Sequence, residues 1–260
     1  MKTRGTIGAL LLAVMPAAGC TAVVEGTVRP ASGMTPWPIT GRVVEHVLLN
    51  DVELSTMLDQ SFESDADFPP RLGGAESMPD GLSSESDASP HDCVGAATGM
   101  QRSVYSSADV QDIAVQSWWN AESDAGARVI EVKEGVVALP TAADADVLFA
   151  EFIEQWKDCE GVTVTVLSGP SLDGGYFTDE ITDVRVSDSV LAATIRAAST
   201  SDSMANPEAR AIGVRVNCLV EVQVSFYSGQ SSSKRIGTAN PETSAIDIAR
   251  QMMDRISELS

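Results

Sequence analysis

The chain has 260 residues and a formal net charge of −20, with 37 acidic residues against 17 Lys and Arg. A surface of that sign repels phosphate backbones and argues against nucleic acid as a partner, while a 43% hydrophobic content suffices for one sizeable core. His46 and His91 are the only histidines, and no G-x-S-x-G elbow, P-loop, dinucleotide fingerprint or H-E-x-x-H is present, so hydrolase and nucleotide chemistry have little support.

In chain order, Lys2 and Arg4 precede the apolar run Ile7 to Met15 and the small residues Pro16 to Gly19, the pattern of a secretory leader over residues 1–19. The run is too short to span a bilayer, which needs about 20 residues. Ala17-Ala18-Gly19-Cys20 resembles a bacterial lipobox, with Ala17 where Leu is usual, and implies lipid attachment at Cys20; ordinary secretion is the alternative. The Pro- and Gly-containing stretch after it reads as a tether over residues 20–42, leaving a domain over 43–260.

Asn50 with Glu53 three positions on predicts a capped helix carrying Val52, Leu54, Met57 and Leu58. Residues 61–92, rich in Ser, Asp, Gly and Pro, read as a long loop with a short strand near Phe68. Gln101 to Tyr105 and Asp109 to Trp119 carry strand-forming residues, and Arg128 to Leu139 predicts a strand pair or one strand bulged around Gly135. Trp118 and Trp119 point to opposite faces if extended, one to the core and one to a surface or cleft.

Pro140 to Leu167 is the clearest stretch. Thr141 and Asp144 open a helix whose stripe Ala145, Leu148, Phe149, Phe152, Ile153, Trp156 and Cys159 belongs to the core. Gly161 ends it, and Val162, Val164 and Val166 then alternate with Thr163 and Thr165 as a strand. Two short strands are expected around Ser187-Asp188.

From Ile212 to Phe226 apolar residues share one parity, too long for one strand, so a hairpin near Asn217 is expected. A two-residue turn would place Glu221 and Gln223 on the core face. An odd turn of Val216, Asn217 and Cys218 avoids this and puts Cys218 at its tip. Asn240 and Pro241 open a terminal helix with Ile246, Ala249, Met252, Met253, Ile256 and Leu259 on one face, which should dock on the sheet.

His91-Asp92-Cys93 sets potential ligands side by side, but further Cys or His at zinc spacing are missing, and Asp144 and Asp146 lack the rest of a calcium loop. No metal or cofactor is expected, and no residue set declares itself catalytic. With Cys20 assigned to lipid, Cys93, Cys159 and Cys218 allow one disulfide from three pairings.

HDCVGA (His91 to Ala96), SVY (Ser103 to Tyr105), VVALPTAADA (Val136 to Ala145), FIEQWKDCEGVTVTV (Phe152 to Val166), RVNCLVEVQV (Arg215 to Val224) and the terminal helix together resemble the PknH-like extracellular sensor-domain family of mycobacteria and their relatives, from about Leu48 onward. The resemblance implies an α+β fold: one sensor domain with an antiparallel sheet, helices packed on it and a large cleft for an extracellular ligand. It brings no catalytic residues. The family's two later cysteines have no counterpart near Arg210 and Tyr227-Ser228, which implies the pairing Cys93 with Cys159 and leaves Cys218 as a free or buried thiol.

The resulting expectation is a non-enzymatic, lipid-anchored ligand-binding or sensing module on the outer face of the cell membrane, its ligand an envelope glycan, lipid or peptide. Tyr105, Trp118 and Trp119 are the candidate ligand-binding residues. A structural or protein-interaction lipoprotein would instead show a flat apolar patch, and an envelope hydrolase a buried, perturbed acid beside a nucleophile.

Overall fold

The protein is represented by a computed structural model describing residues 36–121, 127–167, 176–199, 205–228 and 237–260. The expected leader, Cys20 and most of the tether lie outside the described residues. The end of the tether does not: Ile39 is buried, its backbone N–H and C=O both bonded to the Asn217 side chain at 2.7 and 2.9 Å. The packed chain therefore starts before residue 43, because Ile39 completes a hydrophobic cluster that no local pattern reveals.

Among the described residues, ten strands form a single antiparallel sheet: β1 (Phe62–Ser64), β2 (Arg71–Gly73), β3 (Ala88–Ser89), β4 (Asp112–Asn120), β5 (Val129–Ala138), β6 (Thr163–Leu167), β7 (Tyr176–Ser187), β8 (Val190–Ser199), β9 (Asn206–Arg215) and β10 (Cys218–Phe226). The order is β1-β4-β5-β10-β9-β8-β7-β6-β3, with β2 also pairing β4. Helices α1 (Asp51–Leu58), α2 (Val94–Ala97), α3 (Ala142–Asp158) and α4 (Ser244–Leu259) complete the α+β fold.

Both faces of the sheet are covered. On one, Val220, Val222 and Val224 of β10 meet Ile248, Ala249, Met252 and Ile256 of α4, with Leu54 and Leu58 of α1 alongside. On the other, Leu219, Ile212 and Leu191 meet Phe149, Phe152 and Trp156 of α3. Burial on both sides explains the β9–β10 hairpin, where the expected three-residue turn is wrong. Arg215 pairs with Cys218, so the turn has two residues, Val216 and Asn217, and parity flips across it. Ile212 and Val214 then face α3, while Cys218 and Val220 face α4. A sheet clad on both sides imposes no single apolar parity. Cys218 is thus fully buried at the start of β10, with burial and then the charge of Asp112 pushing its thiol pKa up to about 12.

The starts of α1 and α3 follow their sequence signals, and that of α4 does not. Asn50 and Glu53 form a reciprocal capping box on α1. Thr141 Oγ1 accepts the Asp144 amide at 3.2 Å on α3, and Gly161 leaves that helix region at φ 81°. Before α4, residues 241–243 form a turn rather than the first helical residues, and Asn240 Oδ1 accepts from Glu242 N at 2.9 Å.

Three expectations for the loop regions are corrected. Residues 61–92 contain β1, β2, β3 and 3-10 turns, while Phe68 lies between strands. Residues 102–107 are turns rather than a strand. The irregularity in β5 lies opposite Ser225 and Phe226, with Gly135 in regular register. Gly135 is needed for another reason: a Cβ there would come within 2.4 Å of Met100 Sδ.

Candidate functional site

The flip of parity at the hairpin puts Glu221 and Gln223 on the α3 face, where sequence patterning had argued they should not be. Glu221 is 3% exposed and Arg210, on β9, is 1% exposed. Arg210 Nη2 donates to Glu221 Oε2 at 3.1 Å and to the Gly95 carbonyl at 3.0 Å. The Met100 amide donates to the same Glu221 oxygen at 3.0 Å, and the Tyr105 hydroxyl donates to Oε1. A buried ion pair is tolerable only when its remaining lone pairs are met in this way.

Helix α3 supports the network from behind. The Trp156 ring centre lies 5.3 Å from the Arg210 guanidinium carbon, and Phe152 makes an edge contact with Tyr105 at 5.5 Å and 80°. The aromatic stripe is core, and it also holds the two polar side chains that grip Glu221. Burial, followed by the charge of Glu221, raises the Tyr105 pKa well above its ordinary value and keeps its hydroxyl a donor. Cys93 and Cys159 are bonded, with Cα atoms 5.6 Å apart, linking α2 to the end of α3.

Above this network lies a cavity of about 410 Å³. Its floor comes from the sheet: Val115 and Ser117 of β4, Lys133 of β5, Arg210, Glu221 and Gln223. One wall is Phe68, Pro69 and Arg71; the other is formed by residues 79–81 and 98–101. The wall segment 98–101 is fastened to the floor, because Gly99 N donates to Gln223 Oε1 at 3.3 Å and Met100 reaches Glu221. Gly99 allows the close approach, since a Cβ there would lie 2.3 Å from Arg210 Nη1. Lys133 Nζ lies 5.0 Å from the Phe68 ring centre and 3.2 Å from Glu131 Oε2. A larger depression of about 570 Å³ between residues 107–109 and α3 is more open, and its polar groups are surface side chains such as Asp109, Asp144 and Glu151.

Beyond the floor the acidic character returns. Glu208 accepts from Gln223 at 2.5 Å and Ser225 at 3.1 Å, and burial raises its pKa despite those bonds. Asp179 is lifted to about 7 by burial and then by the charge of Glu208. Glu131 is raised by burial, against the pull of Lys133.

The three aromatic candidates separate. Tyr105 sits beneath the cavity, bonded to Glu221 and only 3% exposed. Trp118 lies on the opposite face, where its ring packs beside the α4 core and its Nε1 donates to Glu134 at 3.0 Å; alternation along β4 makes a role in this cavity impossible. Trp119 is on the cavity side, 40% exposed beside Glu131, outside the lining. Arg210, Glu221, Lys133 and Phe68 were missed. For the first two, the available signal was a pair of opposite charges placed within otherwise apolar strand runs. His91 Nε2 lies 3.2 Å from the Leu82 carbonyl, and among the described residues no group of three His, Cys, Asp or Glu is placed to hold a metal.

The model of the PknH-like extracellular domain family matches residues 39–255, beginning at the buried Ile39. Among solved structures, the crystal structure of the extracellular domain of PknH from Mycobacterium tuberculosis is similar at a TM-score of 0.66 and 21% identity, over 85% of this chain and 98% of that one. A putative uncharacterized protein from Mycobacterium smegmatis reaches a TM-score of 0.37 and 10% identity, over 80% and 94%. Among curated proteins there is no match. No helix of the described residues is long and apolar enough to cross a membrane.

Proposed function

The chain belongs to the PknH-like extracellular domain family, and on that premise we propose that it is a non-enzymatic ligand-binding or sensing module of the cell envelope, exported and held at the outer membrane face by lipid on Cys20. The observation that carries this reading is the cavity of about 410 Å³ set on a buried, hydrogen-bonded polar network. That volume is in the range of small-molecule sites, and a few fixed polar groups among apolar walls are what such sites use for orientation. A binding role is favoured over a catalytic one by the bonding of Glu221 and Tyr105. The carboxylate accepts from three groups and the phenol donates to it, so neither is poised as a base or nucleophile.

A thermal-shift screen of the chain against envelope glycans, lipids and peptides tests binding. Stabilisation by a compound, lost on filling the cavity with Val115→Trp, supports the reading; no stabilisation by any class sinks it. The anchor is tested separately. Cys20→Ala should move the exported chain from the detergent phase to the aqueous phase on detergent partitioning, and an unchanged distribution removes the lipid from the proposal.

A further inference from the structure

Resting on that binding reading, we infer that the cavity is built for an amphiphile carrying a single negative charge, the carboxylate or phosphodiester head lying toward Arg71 and Lys133 and the apolar body against Phe68, Pro69 and Val115.

The charge inventory of the lining runs against that of the whole chain. Arg71, Lys133 and Arg210 face Asp80 and Glu221, one cation in excess, within a protein of net charge −20. Both acids are already answered: Asp80 is paired with Arg102, and Glu221 takes Arg210, Tyr105 and Met100. The cations are not fully answered. Arg71 has no side-chain hydrogen bond or ion pair within the described residues, while Arg210, whose Nε and Nη1 lack an acceptor but are sealed from solvent, adds its charge to the floor without offering a contact. Lys133 shares Glu131, whose own burial disfavours its charged form. A site left with donors and short of acceptors selects an anion, and the low-dielectric wall strengthens that choice. The excess of one charge sets the valence, while Phe68, Pro69, Val115 and the Met100 side of the wall require an apolar remainder.

The test is equilibrium binding of dodecanoate, dodecanol and dodecyltrimethylammonium to the full chain, together with flotation on phosphatidylglycerol or phosphatidylcholine vesicles. Dodecanoate binding roughly tenfold or more tighter than dodecanol and weakened by salt is expected, since tenfold corresponds to one well-placed charge pair. Preference for phosphatidylglycerol vesicles over phosphatidylcholine, with weak dodecanoate binding, equally supports the charge selection and identifies a lipid headgroup as its source. Arg71→Gln with Lys133→Gln, both outside the buried network, should bring dodecanoate to within about threefold of dodecanol. Equal binding of all three amphiphiles, with no vesicle preference, overturns the inference while leaving a ligand-binding cavity. Binding by none of the probes overturns the inference, and the binding reading beneath it then stands or falls on the thermal-shift screen.

Discussion

The two faces of the sheet solve different problems with the same strands. Under α4, Val220, Val222, Val224 and Phe226 project into a continuous apolar cluster beside which, among the described residues, one carboxylate is fully buried, that of Glu134. Under α3, neighbouring positions of the same strand carry Glu221 and Gln223, and the apolar layer gives way to a cavity. The first arrangement maximises burial. The second accepts the desolvation of an ion pair to hold open a wall of backbone at residues 98–101. Geometry at a site depends on fixed polar contacts, which an apolar layer of adaptable side chains does not supply.

The sharpest way to break this contrast is to remove one partner of the buried pair. Arg210→Met leaves Glu221 buried with an uncompensated charge and should cost about 3–5 kcal/mol in urea denaturation. Adding Glu221→Leu should recover much of that loss yet release the 98–101 wall, read as faster amide exchange at Gly99 and Met100. On the opposite face Met252→Ala should cost about 2–5 kcal/mol through its cavity, leaving exchange at Gly99 unchanged. If the double variant keeps Gly99 and Met100 protected, the ion pair is not what fixes the site.

Next in size is the bridge that joins α2 to α3 on the cavity side. Cys93→Ala with Cys159→Ala opens a link across 66 positions and should lower stability by about 4 kcal/mol on the chain-entropy account, measured as the shift of the denaturation midpoint. The effect should concentrate in the α2 and 98–101 region, with the α4 face retaining its slow exchange.

The two faces also titrate. Glu134 accepts from Trp118 Nε1 and Leu49 N, yet burial raises its pKa from 4.5 to about 8. Asp179, on the cavity side, moves from 3.8 to about 7. A carboxyl with a raised folded pKa binds its proton more tightly in the native state. Its contribution is therefore complete below the unfolded pKa and falls as pH rises to the folded one, by up to about 1.4 kcal/mol per pH unit for each group. Thermal unfolding should thus show lower stability at pH 8 than at pH 6. Glu134→Gln should flatten the part belonging to the α4 face, and Asp179→Asn the part belonging to the other. A profile rising from pH 6 to 8 would contradict both shifts.

The smallest expected change is at the hairpin that divides the faces. Val216 is a β-branched residue at φ 54°, a conformation that costs about 1–2 kcal/mol outside glycine. Val216→Gly should raise stability by roughly 0.5–1 kcal/mol after the loss of its partial packing. A destabilised variant would mean that packing of Val216 beside the α4 core outweighs the backbone strain.

Much of the frame was legible. Thr141 caps an amide three residues on, and the stripe from Ala145 to Cys159 recurs at three- and four-residue steps, so local spacing carried the information. Asn50 with Glu53 is readable for the same reason. The short strands β1, β2 and β3 were hidden because runs of two or three residues are too short to show a period, and only the edges of β4 and β6 draw them into extension. Phe68 became part of the cavity only because those pairings place it near Lys133.

By itself the sequence determined the longer helices and strands, the caps of α1 and α3 and the family resemblance, since each rests on residues close together in the chain or on a run of motifs. Tertiary structure alone decided which parity of β10 meets α3. That outcome depends on whether a second layer covers the sheet, and hence on contacts more than 100 positions apart, such as Tyr105 and Met100 with Glu221. A charged residue in an alternating strand looks solvent-facing until its distant partners are in place. The cavity stands on one such residue.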